Sequence, residues 1–300
     1  MAISSRMRTA IQNSSWIRRM FEEGAELKAR LGADRVFDFT LGNPDLEPPP
    51  RFKEALRQAA ADPRPGLHSY MPNAGLLATR QTLADVLSRR EHLEFKPQDL
   101  ILTCGAAGGL NVVLKALLDP GDEVLILAPY FPEYHFYADN HGGVPRVVET
   151  DANFQIDLDR LAEAASPRTR AVIINSPNNP TGQMYDAAAL KELGRILTDH
   201  AGRHGRPVYL LADEPYRHLV YDGAEVPSVL AAYPDTLLAT SFSKDLSIPG
   251  ERLGYIAMSP RAEGRDELEG ALVLANRILG FVNAPALMQR VVASLTDVTL

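Results

Sequence analysis

The chain predicts an α/β protein built on a mostly parallel β-sheet with helices on both faces. Three observations lead there. Short apolar runs without polar alternation recur between residues 100 and 258, which is the pattern of strands buried on both faces. Helical stretches lie between several of these runs, as strand–helix–strand units require. Polar and glycine-bearing clusters stand at the C-terminal ends of the runs, the edge at which open α/β sheets bind ligands.

The elements follow in order. Residues 14 to 31 have helical spacing, with Trp16, Ile17, Met20, Phe21 and Leu27 roughly on one face. "FDFTLGNPDLEPPPRF" is extended or turning, because of its glycine and prolines. Residues 74 to 93 read as a helix. "DLILTCG" is an apolar run ending in small residues, and "GGLNVVLKALL" is helical. The runs "DEVLILAPY", "PRVVET", "RAVIINSPNNP", "RPVYLLADEPY", "DTLLATSFSK" and "RLGYIAMS" continue the series, with helices expected over 157 to 165 and 186 to 201. There is no fixed-period repeat and no low-complexity segment.

Composition narrows the classes of function. Apolar residues make up 45% and charged residues 23% of the 300 residues, ordinary for a globular protein. The net charge of −7 argues against a nucleic-acid or anionic-membrane partner. One cysteine, Cys104, allows no internal disulfide. No apolar run approaches the ~20 residues needed to span a bilayer. The N-terminus lacks the apolar core of a signal peptide, and Glu22, Glu23 and Glu26 oppose a mitochondrial presequence. A cytoplasmic location is expected.

The strand-end clusters carry the chemistry, and each also has a purely structural alternative. "TCGAAGGLN" runs from a strand end into a helix start, where small residues and unpaired N–H groups suit phosphate; a tight turn without ligand uses the same residues. It is neither a Walker loop nor a dinucleotide fingerprint. "APYFPEY" puts Tyr130 and Phe131 at a strand end, as ring-stacking aromatics or as core. In "NSPNNPTGQ", the amides of Asn178 and Asn179 serve a ligand or the turn itself. "LLADEPY" sets Asp213 and Glu214 after a buried strand, where a carboxylate is costly without a partner, and Tyr216 returns to the same side. In "SFSKDLSIPGERLG", Lys244 is flanked by Ser241 and Ser243, with Gly250, Arg252 and Gly254 close behind. That set of residue types suggests a bound anion.

Together these clusters resemble the class I/II aminotransferases of the pyridoxal-phosphate (PLP) fold type I superfamily. "FTLGNPDLEPP" and "SYMPNAGLLATRQTLADVL" extend the resemblance over nearly the whole chain. It implies a seven-stranded, mostly parallel sheet and PLP as cofactor. It implies that Lys244 forms a Schiff base with PLP and then carries the Cα proton, and that Asp213 pairs with the pyridine nitrogen. Asn179 and Tyr216 would hydrogen-bond the phenolate oxygen, and Phe131 rather than Tyr130 would stack on the ring. The phosphate would lie among Gly105, the N–H groups of Ala106 and Ala107, the hydroxyls of Ser241 and Ser243, and Arg252, whose planar fork suits it. Tyr70 would reach the phosphate of a neighbouring subunit, which implies a homodimer. Gly42 and Asn179 would contact the substrate. Two departures stand out: "AA" replaces the Ser or Thr side chains frequent at 106 and 107, and "GNPD" replaces the frequent "GEPD".

By the same resemblance, residues 1–45 belong to a small domain, 46–280 form the large PLP-binding domain, and 281–300 begin a linking helix. The rest of the small domain, with its substrate-carboxylate arginine, is expected to be missing. Arg277 and Arg290 read as helix-surface charges. The expected activity is transfer of an amino group from an L-amino acid to a 2-oxo acid by a ping-pong mechanism. C–S β-lyases and aminocyclopropane-carboxylate synthases share these motifs and form the alternative. A non-catalytic regulatory domain is a further one, opposed by intact Lys244, Asp213 and Arg252 and by a start that reads as a natural N-terminus.

Overall fold

The computed structural model describes residues 2–13, 15–37, 39 and 42–295, without the side chains of 13, 15–19 and 21. The chain divides into two units, Met1–Asp45 and Leu46–Leu300.

The first unit holds α1 (Ser5–Asn13) and α2 (Ser15–Leu31). The second helix coincides with the periodic stretch in the sequence. The apolar face expected of Trp16, Ile17 and Phe21 lies outside the described side chains.

In the second unit, α3 (Pro50–Ala61), α4 (Leu77–Glu91), β1 (Leu100–Thr103), α5 (Gly105–Leu117), β2 (Glu123–Ala128), α6 (Glu133–Asn140), β3 (Val144–Glu149), α7 (Leu158–Ala164) and β4 (Thr169–Asn175) follow one another. Then come α8 (Ala187–His204), β5 (Tyr209–Asp213), α9 (Val229–Ala232), β6 (Thr236–Ser241), α10 (Phe242–Asp245), β7 (Gly254–Met258), α11 (Arg265–Ile278) and α12 (Ala286–Ala293). The sheet has seven strands in the order β1-β7-β6-β5-β4-β2-β3. Among the described residues, β7 alone runs against the direction of the other six strands, so the expected mostly parallel seven-stranded sheet is present.

Helices cover both faces because the strands bury both. On one face, Ile126, Ile173, Leu211 and Leu237 pack with residues of α5, α6 and α11. On the other, Leu125, Val172 and Leu210 pack with α7, α8 and α9, while Leu100, Leu102 and Leu238 pack with α3, α4 and α12. Leu237 and Leu238 go to opposite faces, as successive strand residues must. Local signals set the helix ends. The Asp186 carboxylate accepts the Ala189 N–H at 2.7 Å, an N-cap typically worth about 1 kcal/mol, and Gly205 closes α8 in the left-handed region.

The stretch from 281 onward, expected to begin a linking helix, is helical over Ala286–Ala293, and Met288, Val291 and Val292 are buried within the second unit. Arg277 is exposed, as expected. Arg290 differs from the surface charge expected of it, since its guanidinium donates to the Leu67 carbonyl and is half-buried.

Gly254 lets three segments converge. A Cβ there would lie 2.4 Å from the Thr240 carbonyl oxygen and 2.7 Å from the Gly105 carbonyl carbon. Gly254→Ala is therefore expected to destabilise the fold by about 1–3 kcal/mol, the usual range for overpacking. A urea midpoint equal to the parent's would disprove the constraint.

Candidate active site

The ends of β4, β5 and β6 lie side by side. In register, Asn175 pairs with Asp213 and Asp213 with Ala239, and Ser241 pairs with Gly254 across to β7. Parallel pairing thus brings "NSPNNP", "DEPY" and "SFSK" to one sheet edge, although they are far apart in the chain.

Asp213 is buried at this edge. The Tyr134 hydroxyl donates to its Oδ2 at 2.5 Å, and Oδ1 has no hydrogen-bond partner among the described residues. Burial pushes the Asp213 carboxyl up to about 7, against the Tyr134 hydrogen bond and with the help of the Glu214 charge. A buried acceptor left half-satisfied is costly. Tyr137 is close enough to Asp213 and Arg252 to feel both charges, and burial pushes its hydroxyl up to about 12.

The loop after β4 is built by its asparagines. Asn175 Nδ2 donates to the Asp213 carbonyl at 2.8 Å, and its Oδ1 accepts the Asn179 N–H at 2.6 Å. Asn178 Oδ1 accepts from the Thr181 N–H and hydroxyl, and its amide donates to the Pro129 carbonyl at 3.4 Å. Asn178 therefore serves the turn. Asn179 does something else, since its Nδ2 donates to the Tyr216 hydroxyl at 3.4 Å.

Lys244 lies on α10, one turn past the end of β6, with Nζ 5.8 Å from the centre of the Tyr216 ring. Burial lowers its pKa from the ordinary lysine value. Ser241 and Ser243 are both buried beside it. Phe131 is partly buried and meets Tyr134 edge-on at 5.7 Å, so it belongs to the same neighbourhood. Tyr130 also packs on the core.

The start of α5 meets Arg252. Gly105 has φ +73°, and a Cβ on it would lie 2.8 Å from Arg252 Nη2. Arg252 itself takes a left-handed conformation and donates to the Pro249 carbonyl at 3.1 Å and the Cys104 carbonyl at 3.5 Å. A guanidinium thus sits at the positive end of a helix whose first residues, Gly105, Ala106 and Ala107, are small. That combination attracts an anion.

Tyr70 is 89% exposed and stands apart from these contacts. Gly42 belongs to the first unit and is exposed. Tyr134, Tyr137 and Asn175 were not singled out from the sequence. For Tyr134 a signal existed: it stands three residues after Phe131 at a helix start, which returns it to the same side.

These residues fit PLP. The open Asp213 oxygen awaits a donor, and a protonated ring nitrogen is one. Gly105, without a Cβ, lets the Arg252 guanidinium close on an anion-attracting helix start. The half-buried lysine lies on the same edge.

Known proteins match this chain closely. The family model described as aminotransferase class I and II matches residues 34–300. A probable aspartate/prephenate aminotransferase of Thermus aquaticus is 38% identical over 235 residues, covering 78% of this chain and 58% of that protein. An aspartate aminotransferase of Geobacillus stearothermophilus is 36% identical over 242 residues, covering 79% and 59%. The chain thus spans less than two thirds of the length of these curated relatives. Among solved structures, an aminotransferase of Eubacterium rectale superposes with a TM-score of 0.95 at 38% identity, over all of this chain and 76% of the other. The aspartate aminotransferase of Thermus thermophilus with maleate gives 0.82 at 30% identity, over 99% and 73%. The chain belongs to the class I and II aminotransferases.

Proposed function

We propose that the protein is an aminotransferase, moving the amino group of an L-amino acid to a 2-oxo acid in two half-reactions at one site. Members of its family depend on PLP. The observation that carries the reading is Asp213, a buried carboxylate with one oxygen open, at the same sheet edge as the half-buried Lys244.

When bound, PLP supplies an electron sink for the charge that develops at the amino-acid Cα. Asp213 accepts the ring N–H and keeps that nitrogen protonated, since an opposite charge in a buried place favours both ionised forms. Lys244 binds the cofactor covalently and moves the proton at Cα as a general base and acid. Its lowered pKa leaves more of the amine neutral for both tasks. Asn179 and Tyr216, already hydrogen-bonded to each other, would donate to the ring oxygen, and Phe131 would cover the ring and exclude water. Gly105, Ala106, Ala107, Ser241, Ser243 and Arg252 would hold the phosphate, and Asn179 would contact the substrate. A cytoplasmic homodimer is part of the reading. The 89% exposure of Tyr70 supports a reach into a neighbouring subunit's phosphate site.

Arg252→Lys replaces a planar fork by a point charge. The dissociation constant for PLP is expected to rise roughly 10- to 100-fold, the equivalent of one charged hydrogen bond. Equal affinity would place the phosphate elsewhere.

A donor panel assayed with 2-oxoglutarate and pyruvate tests the function. The relatives named for aspartate put L-aspartate first. Oxo-acid formation strictly dependent on an amino donor and an acceptor supports transfer. Release of pyruvate or ammonia from cystathionine without any acceptor would indicate a lyase instead.

A further inference from the structure

Asp213 and Lys244 share a local pattern, because each is followed directly by an acidic residue, Glu214 and Asp245. At the end of β5 successive residues face opposite ways, and on α10 successive residues are turned by about 100°, so neither acid points with its neighbour. Glu214 and Asp245 line one small cavity of about 30 Å³, together with Arg90, Arg217, His218 and Tyr255.

A buried charge network surrounds it. Arg217 Nη1 donates to Glu214 Oε2 at 2.8 Å and its guanidinium lies 3.7 Å from Glu91 Oε1. Arg90 Nε donates to Glu91 Oε1 at 2.5 Å, and the Ser228 hydroxyl donates to Glu91 Oε2. His218 Nε2 is 3.8 Å from Asp245 Oδ2. Two arginines thus offset two glutamates, and Asp245 is the additional acid. Three of the lining residues each have one buried atom with no hydrogen-bond partner among the described residues: Arg90 Nη2, Glu214 Oε1 and Asp245 Oδ1.

The chemistry of these atoms selects the occupant. One is a donor and two are acceptors. A cation would face two guanidinium groups, and an anion would face carboxylates. A water accepts one hydrogen bond and donates two. The cavity volume exceeds the roughly 10–15 Å³ that one water needs.

We propose that one ordered water in this cavity joins Asp245 to Glu214 and Arg90, and that Asp245 is thereby a positioning residue for Lys244. The helix bearing Lys244 has only four residues. Its start is held by the Phe242 N–H donating to the Leu253 carbonyl at 3.1 Å. Its end is held through Asp245. The water ties that end to the residue following Asp213, so the lysine and the aspartate keep a fixed relation although Asp213 ends β5 and Lys244 lies on α10. Burial pushes the Asp245 carboxyl up to about 7, opposed by Arg90. Its charge therefore changes near neutral pH, facing Arg90 and Glu91 from α4, Glu214, Arg217 and His218 after β5, and Tyr255 from β7. The positioning role rests on the proposed function of Lys244; the water does not.

Two experiments on the full chain decide the matter. In a high-resolution crystal structure, a water within hydrogen-bond distance of Asp245, Glu214 and Arg90 is expected. A dry cavity, or an ion in it, overturns the proposal. The second experiment follows the pH midpoint of the Lys244–cofactor absorbance. Asp245→Asn keeps the shape and removes the charge. It is expected to lower the midpoint, because no carboxylate remains to favour the lysine cation, and to keep the cofactor on Lys244. Asp245→Leu displaces the water and is expected also to lower kcat roughly tenfold or more with KM little changed, as small misplacements of reacting groups do. An unchanged midpoint in Asp245→Asn overturns the positioning role even if Asp245→Leu fails to fold. Failure of the parent chain to hold PLP on Lys244 would instead remove the functional reading, and the crystal structure would still decide the water.

Discussion

Replacing Lys244 with alanine is expected to remove borohydride-fixable PLP from the chain and to abolish amino transfer. The amine has two proposed tasks, covalent capture of the cofactor and movement of the Cα proton. Alanine performs neither. The proton transfer alone accounts for about 10²- to 10⁴-fold in rate, and loss of covalent capture adds to it. The fold should survive. Lys244 is only half-buried and lies outside the apolar clusters, so its truncation opens no core cavity. Gly105, Ser241, Ser243 and Arg252 are untouched, so the phosphate should still bind, more weakly and without covalent attachment. The measurement is borohydride reduction followed by peptide mass mapping, beside a spectrum of the unreduced protein. The parent is expected to carry the reduced cofactor on the peptide containing Lys244. The same adduct elsewhere on the Lys244→Ala chain would show that another amine holds the cofactor.

The sheet and its functional edge were legible because burial on both faces leaves continuous apolar runs such as "VLILA" and "VYLLA". The polar residues closing those runs mark the edge. What stayed hidden depends on long-range contact. Tyr134 reaches Asp213 across 79 positions, and no local pattern encodes that distance. On α6, Tyr134, Tyr137 and Ala138 share one side at helical spacing, which marks a core-facing side and not a partnership with Asp213. Asn178 and Asn179 look equivalent in sequence. They part only when the turn closes, with Asn178 spent on Thr181 and Asn179 left facing Tyr216. The partnership of Glu214 and Asp245 is hidden likewise, since it needs β5 and β6 to be adjacent before the two acids share a cavity.

Asp213→Asn is expected to change how stability depends on pH, and in opposite senses with and without PLP. In the cofactor-free chain the carboxyl is raised from its ordinary 3.8 to about 7. The folded state therefore holds this proton more tightly than the unfolded state. Stability from this group is full below about pH 4, declines as pH rises, and is lost above about 7. Roughly three units correspond to about 4 kcal/mol, a large share of a typical domain's margin. Asparagine cannot ionise, so the cofactor-free variant should hold its thermal midpoint from pH 5 to pH 8 better than the parent does. Asp245 is also raised to about 7, but it is present in both proteins and cancels in the difference. Bound PLP reverses the order. A protonated ring nitrogen opposite the open Asp213 oxygen turns the buried carboxylate from a cost into an ion pair. PLP should then raise the midpoint at pH 8 far more in the parent than in the variant, and kcat of the variant should fall by ~10²-fold or more, as losing one preorganised charge partner does. Parallel pH curves for the two cofactor-free proteins would show that the Asp213 carboxyl is already charged in the folded chain. Equal PLP-induced shifts would show that the ring nitrogen meets some other group.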